Sequence, residues 1–354
     1  MADEVVLKVG GRELGGWKEV AVTQSIESIA NGFTLSQSEL EVDDPRARRI
    51  QRGERCTVTV AGERIVRGFV QRVAPGYDEA GHSIAVKGWD ATRDLVKSSI
   101  TVALTLPAKL EDLIAQLVAP HAITVDVEVD TGAPFKRFKT QPGEPVFAAI
   151  KRAASFRGVL LVSDGDAGLV VTLPGLESAG AVLQKGINIK RASAVFDDAD
   201  RFSEVTIKAQ QEAFWGGDSG GGALEGKAVD GGIDRFLPLV EIQSDVADGQ
   251  EELDAAAQRT VNLAAAQALR VSYGVEGWRT QVDEGALWKP GELVSVDDSF
   301  LGIRRALLLT AATFSVGGQT GRRTQLNLMR PEAFDLRVIE PPAAADGVEL
   351  WDVV

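Results

Sequence analysis

Cys56-Thr57-Val58-Thr59-Val60, then Ala61-Gly62-Glu63, then Arg64-Ile65-Val66-Arg67-Gly68-Phe69-Val70: two runs of alternating apolar residues around a glycine turn spell a β-hairpin. Outward from it, Val5 to Val9 runs into a Gly10-Gly11 turn, and Val20 to Thr23 and Gly32 to Leu35 follow as short strands. On the other side, a turn from Pro75-Gly76 to Gly81 leads into Ser83 to Gly88. Six or more short strands with turn chemistry between them predict a small antiparallel β-barrel domain over residues 1–100.

Residues 101–190 change period. Leu110, Leu113, Ile114, Leu117 and Val118 recur at helical spacing and Pro120 stops the run. Thr124 to Val129 alternates as a strand. A second helix begins at Gly143-Glu144-Pro145, with the proline suited to a first-turn position, and ends at Arg157-Gly158. It feeds a hairpin, Val159 to Val162 and Leu169 to Leu173, around Ser163-Asp164-Gly165-Asp166-Ala167-Gly168. The expectation is an α+β domain of helix, strand, helix and hairpin.

Strands resume in residues 191–210 and 272–334, predicted as a second β-barrel domain. Between them, 211–271 reads as an insertion: eight glycines between Gly216 and Gly232 mark a mobile loop, and Gln250 to Val271 is an alanine-rich helix. Residues 335–354 form a C-terminal tail through Pro341-Pro342. The fold class is therefore mainly β with an α+β part. Gly53-Glu54-Arg55-Cys56-Thr57-Val58 is echoed by Gly291-Glu292-Leu293-Val294-Ser295-Val296, each followed by a strand, a turn and a closing strand. This is either a duplication or the shared composition of two hairpins.

The chain has 354 residues with 38 Lys+Arg against 51 Asp+Glu, a formal charge of −13. Residues 191–354 hold 15 basic and 27 acidic side chains, so nearly all of that charge lies there. Such a field disfavours phosphate-backbone contact, so no specific nucleic-acid binding is expected. Arg46, Arg48, Arg49, Arg52 and Arg55 are flanked by Glu41, Asp43, Asp44 and Glu54 and read as a self-neutralised surface run. The acidic start Met1-Ala2-Asp3-Glu4 lacks signal-peptide order, and no apolar run reaches about 18 residues. The expectation is a soluble chain, folded in a cytoplasm, with no membrane insertion.

Catalytic equipment is sparse. Cys56 is the one cysteine, which excludes an intrachain disulfide and any multi-cysteine metal site, and His82 and His121 are the two histidines. Gly217-Asp218-Ser219-Gly220-Gly221 spells the nucleophile segment of chymotrypsin-like proteases, but neither histidine is placed to serve it and the glycine run cannot preorganise an oxyanion hole. Asp164-Gly165-Asp166 lacks the spacing of a calcium loop and reads as a turn. Asp197-Asp198-Ala199-Asp200 reads as a cap or surface cluster. No catalytic, metal or cofactor residues are expected, and no cofactor. Trp17, Trp89, Trp278 and Trp288 sit at strand ends, where core packing is expected. Trp215, Leu350, Trp351, Val353 and Val354 sit in polar or linker-like segments. They are the candidate partner-docking residues, the alternative for the tail being to fold on its own subunit.

Three stretches resemble the baseplate hub proteins of Mu-type contractile-tailed phages: Gly16-Trp17 to Ala30 with Phe33-Thr34-Leu35, Glu144-Pro145 to Leu160, and Gly277-Trp278 to Met329-Arg330-Pro331-Glu332-Ala333-Phe334. Arg201 to Lys208 fits between them, and the helix-then-hairpin unit at 144–173 is similar to that of the type VI secretion spike protein VgrG and the T4 tail hub. The resemblance runs in order over residues 5–334. It implies a non-enzymatic virion component, assembled in the host cytoplasm as a homotrimer. Two barrels per subunit would make a pseudo-sixfold ring joining the sixfold tail tube to the threefold central spike, around a channel for DNA ejection. The implied partners are the central spike, tail tube or tube-terminating proteins and other baseplate proteins. The alternatives are the hub of a phage-derived injection system (tailocin or type VI-like) and a tail-associated hydrolase or glycan-binding protein. The glycine run and the tail depart from the family pattern.

Overall fold

The computed structural model describes residues 4–39, 50–79, 81–100, 104–175, 177–210, 223–242, 250–281, 284–318 and 321–334. The protein is mainly β with several sheets. Its first strands are β1 (Val5–Val9), β2 (Arg12–Leu14), β3 (Glu19–Ser25), β4 (Gly32–Glu39), β5 (Arg55–Val60), β6 (Glu63–Asp78) and β7 (Gly81–Asp90). Alternation decides which side chains enter the core: Val5, Leu7 and Val9 on β1 and Cys56, Val58 and Val60 on β5 are buried. The β5–β6 turn places Ala61 at φ +50 and Gly62 at φ +86, the two left-handed residues of a type I′ hairpin turn. Ala61 accepts that conformation inside the core, its N–H held by Glu4 O at 3.0 Å.

The second unit contains α1 (Arg93–Lys97), α2 (Leu110–Val118), β8 (Thr124–Val127), α3 (Val146–Arg157), β9 (Leu160–Ser163) and β10 (Gly168–Thr172). β10 pairs antiparallel with β9 and parallel with β8, and α2 and α3 cover them over a core of Leu110, Leu113, Ile114, Leu117, Ile150 and Val171. Burying each such side chain contributes roughly 1.5–3 kcal/mol. Pro145 is the N-cap of α3 rather than a first-turn residue, with extended φ/ψ of −60°/144°. Gly158 ends the helix at φ +69, donating to Ala154 O and Ser155 O.

The chain then enters β11 (Ser178–Gln184) and β12 (Ile189–Phe196), leaves for β13 (Glu204–Gln210), β14 (Ala223–Val229), β15 (Pro238–Ile242) and α4 (Gln250–Gln267), and returns in β16 (Leu269–Glu276). A small hairpin, β17 (Arg279–Gln281) and β18 (Glu284–Leu287), precedes β19 (Leu293–Asp298), β20 (Ile303–Gly317) and β21 (Gly321–Met329).

The main sheet has 13 strands in the order β12-β16-β21-β20-β3-β4-β7-β6-β5-β1-β2, with β19 on β20 and β11 on β19. Among the described residues its ends do not pair back on one another. One core runs beneath both halves, from Leu7, Val22 and Phe33 to Tyr273, Trp288 and Phe314.

Three boundaries differ from the sequence expectation. Residues 178–190, expected in the α+β unit, belong to the main sheet, β11 pairing with β19 and β12 with β16. The Ser-Ala-Gly-Ala composition of β11 gave no strand signal, and its place is fixed by its neighbour. β13, expected in the second β domain, pairs with β14 and β15 instead. The α4 helix stops at Gln267 rather than reaching Val271, because Leu269, Val271, Tyr273 and Val275 alternate into the main core as a strand. Part of the expected glycine loop is strand β14. At Gly226 an added Cβ would lie 2.1 Å from the Leu253 carbonyl carbon, so the glycine is what lets α4 lie on this sheet.

Candidate assembly interface

The main sheet is one five-strand unit made twice. In the first half the neighbours run β3-β4-β7-β6-β5; in the second they run β12-β16-β21-β20-β19, every pairing antiparallel. The correspondence reaches single hydrogen bonds. Gly53 N donates to Val70 O at 2.7 Å and Val70 N to Glu54 O at 3.0 Å; Gly291 N donates to Leu309 O at 2.8 Å and Leu309 N to Glu292 O at 3.0 Å. Both long strands bulge at the next step, between Val70 and Arg72 in β6 and between Leu309 and Ala311 in β20. A bulge keeps its place only where the surrounding register demands it, so the Gly-Glu echo marks an internal repeat.

The copies differ in what is added. Residues 26–31 join β3 to β4, whereas β13–β15 and α4 stand between β12 and β16. The insertion is where the acid lies: residues 197–254 hold 15 acidic and 4 basic side chains. The solvent face of the main sheet mixes short polar groups, with Thr23 beside Thr313 (Oγ1···Oγ1 3.0 Å) and Ser272 beside Asn327 (2.7 Å), with exposed charged side chains, among them Arg72, Lys87, Arg191 and Arg323.

The two copies are joined by β3 lying along the second half of β20, from Ala311↔Ser25 to Val316↔Val20. Ile26 N donates to Thr310 O at 2.9 Å to begin the ladder. The joint buries Val20, Val22, Ala312 and Phe314. Among the described residues the corresponding edges are open: the second half of β6 pairs with β7, and β12 with β16, save for an isolated bridge from Ile189 to Lys185 at its start. Large apolar side chains on them stand in water, with Tyr77 84%, Val195 58% and Phe196 56% exposed. These are the candidate assembly surfaces. Composition gave no sign of them, although Val195-Phe196 directly before an acidic run is a weak one.

The other candidate residues fall into structural roles. His121 Nε2 lies 2.8 Å from Ser98 Oγ, and His82 packs on Tyr77 with ring centroids 5.9 Å apart. Asp164 Oδ1 accepts from Asp166 N and Gly168 N, closing the β9–β10 turn. Asp166 pairs with Arg64 and Arg67 of β6, tying the α+β unit to the main sheet. The Arg67 hydrogen bond foremost, and Arg64 with it, hold its carboxyl below the usual range. Asp198 pairs with Arg201 at 2.8 Å, and Arg201 also reaches Asp230 at 2.9 Å. Trp17, Trp278 and Trp288 lie in the main core, while Trp89 packs on the α+β core between Lys87 and Arg93. Trp215, Ser219, Leu350, Trp351, Val353 and Val354 lie outside the described residues. Among the described residues, no three His, Cys, Asp or Glu side chains are grouped to hold a metal ion, and no helix is long and apolar enough to cross a membrane.

A cleft of about 720 Å³ opens between α3, β9, β15 and α4. Arg259 crosses it to donate to Phe156 O at 2.5 Å. Its guanidinium is depressed by burial and then by the Arg157 charge.

Comparison with known proteins agrees with this architecture. Residues 4–90 match the family described as Mu phage baseplate assembly protein GpP-like, N-terminal; residues 92–173 match baseplate hub protein gp44-like, second domain; and residues 251–337 match Mu phage baseplate assembly protein GpP, fourth domain. The chain is 29% identical over 345 residues to baseplate hub protein gp44 of Escherichia phage Mu, covering 94% of this chain and 89% of that one. It superposes on the prophage MuSo2 43 kDa tail protein of Shewanella oneidensis with TM-score 0.80 and 31% identity, covering 95% of this chain and 100% of that one. The fold alone is shared with the E. coli c3393 protein, a type VI secretion component described as similar to T4 tail proteins gp27 and gp5, at TM-score 0.54 and 10% identity over 92% of this chain and 76% of that one. A twice-made β unit flanking an α+β domain, matched in order by those families and at 31% identity to a tail protein along its full length, places the chain: it belongs to the baseplate hub proteins of Mu-like phages, structural rather than enzymatic components of the virion tail.

Proposed function

We propose that three copies of this chain form a ring at the centre of the baseplate, presenting six similar β units. The ring joins the sixfold tail tube to the threefold spike and surrounds the path of the ejected DNA. The carrying observation is the internal repeat together with the β3–β20 joint: one chain already holds two successive units of a head-to-tail series. Heterologous contacts of that kind close into a ring when the rotation permits. Each half-sheet, wrapped over the common core, serves as one barrel-like unit of the ring.

The sheet face that carries Thr23 and Thr313 is assigned to the passage wall; its short polar groups are interspersed with Arg72, Lys87 and Arg323, so the wall is not a uniformly anionic surface. The acidic insertion then lies away from that wall. Light scattering tests the ring: a mass about three times the 37.7 kDa chain is expected, and a monomer at high concentration overturns a preformed ring.

Leu350, Trp351, Val353 and Val354 follow a Pro-Ala linker and suit a peptide held in a groove of a spike or baseplate partner. Trp215, in a glycine-rich setting, is a second docking candidate of the same kind. Removing residues 341–354 should weaken capture of the spike in a pull-down, and undiminished capture would discard the tail as an anchor.

A further inference from the structure

We propose that the outer edge of β12 in one protomer pairs antiparallel with the second half of β6 in a second copy of this chain, repeating between protomers the register that joins β3 to β20 within one. The inference rests on the ring reading and adds to it the strands and residue pairs that close the ring.

The internal repeat supplies the register. The bulges align Leu309 with Val70, so Ala311 to Val316 correspond to Arg72 to Tyr77. The pairings of β3 with β4 and of β12 with β16 align Val20 and Val22 with Ala192 and Ala194. Transferring Ala311↔Ser25, Thr313↔Thr23 and Val316↔Val20 gives Arg72 opposite Asp197, Ala74 opposite Val195 and Tyr77 opposite Ala192. The first of these sets opposite charges across the ladder, a favourable cross-strand pair that the alignment did not presuppose.

Burial makes the same point residue by residue. Val20 and Val22 are 5% and 0% exposed under β20; their β12 counterparts are the exposed Ala192 and the half-buried Ala194, and Phe196, on the same side, stands exposed. Ala312 and Phe314 are both 0% exposed under β3, whereas their β6 counterparts are the half-buried Val73 and the exposed Pro75. In this register Val73 meets Phe196 and both are covered. Backbone direction agrees. Beyond the bulge, alternation turns the main chain of Val73, Pro75 and Tyr77 towards the open edge. Pro75 has no N–H to give there, which makes the edge a poorer template for arbitrary strands while leaving the donors on either side.

Cysteine cross-linking tests the register. Ala74 and Val195 correspond to Thr313 and Thr23, whose hydroxyls touch; such non-hydrogen-bonded pairs bring Cα atoms to about 4.5 Å, within disulfide reach. Native Cys56 is buried, its thiol pushed up to about 12 by desolvation, and does not compete. Mixing A74C protein with V195C protein under mild oxidation should give a covalent dimer, and the A74C/V195C double variant a ladder ending at three chains. A74C with S193C, shifted by two residues, should cross-link at least tenfold less. A three-chain mass without the 74–195 cross-link overturns this pairing and leaves the ring reading standing. Equal cross-linking by S193C overturns the register. A one-chain mass with no cross-link overturns both.

Discussion

Replacing Phe314 by alanine is expected to cost about 3–5 kcal/mol and to loosen the two halves of the main sheet from one another. Phe314 is fully buried, opposite Val22 of β3 on one side and Thr324 of β21 on the other. Truncation removes the transfer free energy of the ring and leaves a cavity where two sheet edges meet, which rigid strands refill poorly. The effect should appear in denaturant unfolding and as faster amide exchange in β3, residues Glu19–Ser25. Phe300→Ala is the control: that ring is 77% exposed at the β19–β20 turn, and its loss should stay within about 0.5 kcal/mol. Equal effects at the two positions would mean that the β3–β20 joint is not what couples the halves.

Gly226→Val should destabilise the insertion unit by about 3 kcal/mol or more, through overpacking against backbone that cannot rotate away. The new Cβ meets the Leu253 carbonyl carbon at 2.1 Å, its oxygen at 2.3 Å and Asp254 N at 2.5 Å. To relieve this, α4 must lift from β14, uncovering Leu253, Ala257 and Val261 from the small core they share with Val205 and Ile207. It would also break the bond from Lys227 N to Asp254 Oδ1. Limited proteolysis should then cut within residues 250–267, while the α+β unit keeps its protection. Gly231→Ala, with open space around the position, should leave the pattern unchanged. Protection of α4 in the valine variant would show that the helix tolerates a wider seat.

Two kinds of information came from different places. Local chemistry was legible in the chain. The Val-Thr-Val alternation and the Ala-Gly turn wrote the β5–β6 hairpin, and the spacing of Leu110, Leu113, Ile114 and Leu117 wrote α2. With two histidines and one cysteine, the chain offered the Gly-Asp-Ser-Gly run around Ser219 no evident triad partner. The Gly-Glu echo pointed at the repeat, because a left-handed glycine entering a strand is a backbone requirement that only a few residues meet (φ +84 at Gly53, +101 at Gly291).

Pairing was not legible. The Ser-Ala-Gly-Ala run of β11, the place of β13 under α4, and β3 lying on β20 nearly 290 residues away are set by which edges remain open once local hairpins have formed. Strand edges carry the same N–H and C=O groups whatever the sequence, so one chain shows where strands are without showing their partners. Composition and pattern by themselves determined a β-rich chain with an α+β domain, and the resemblance of three stretches to Mu-type hub proteins supplied the hub reading. The tertiary structure alone decided that its two β units are joined edge to edge in one order, because only packing shows which edges are covered and which, at Tyr77 and Phe196, are left open.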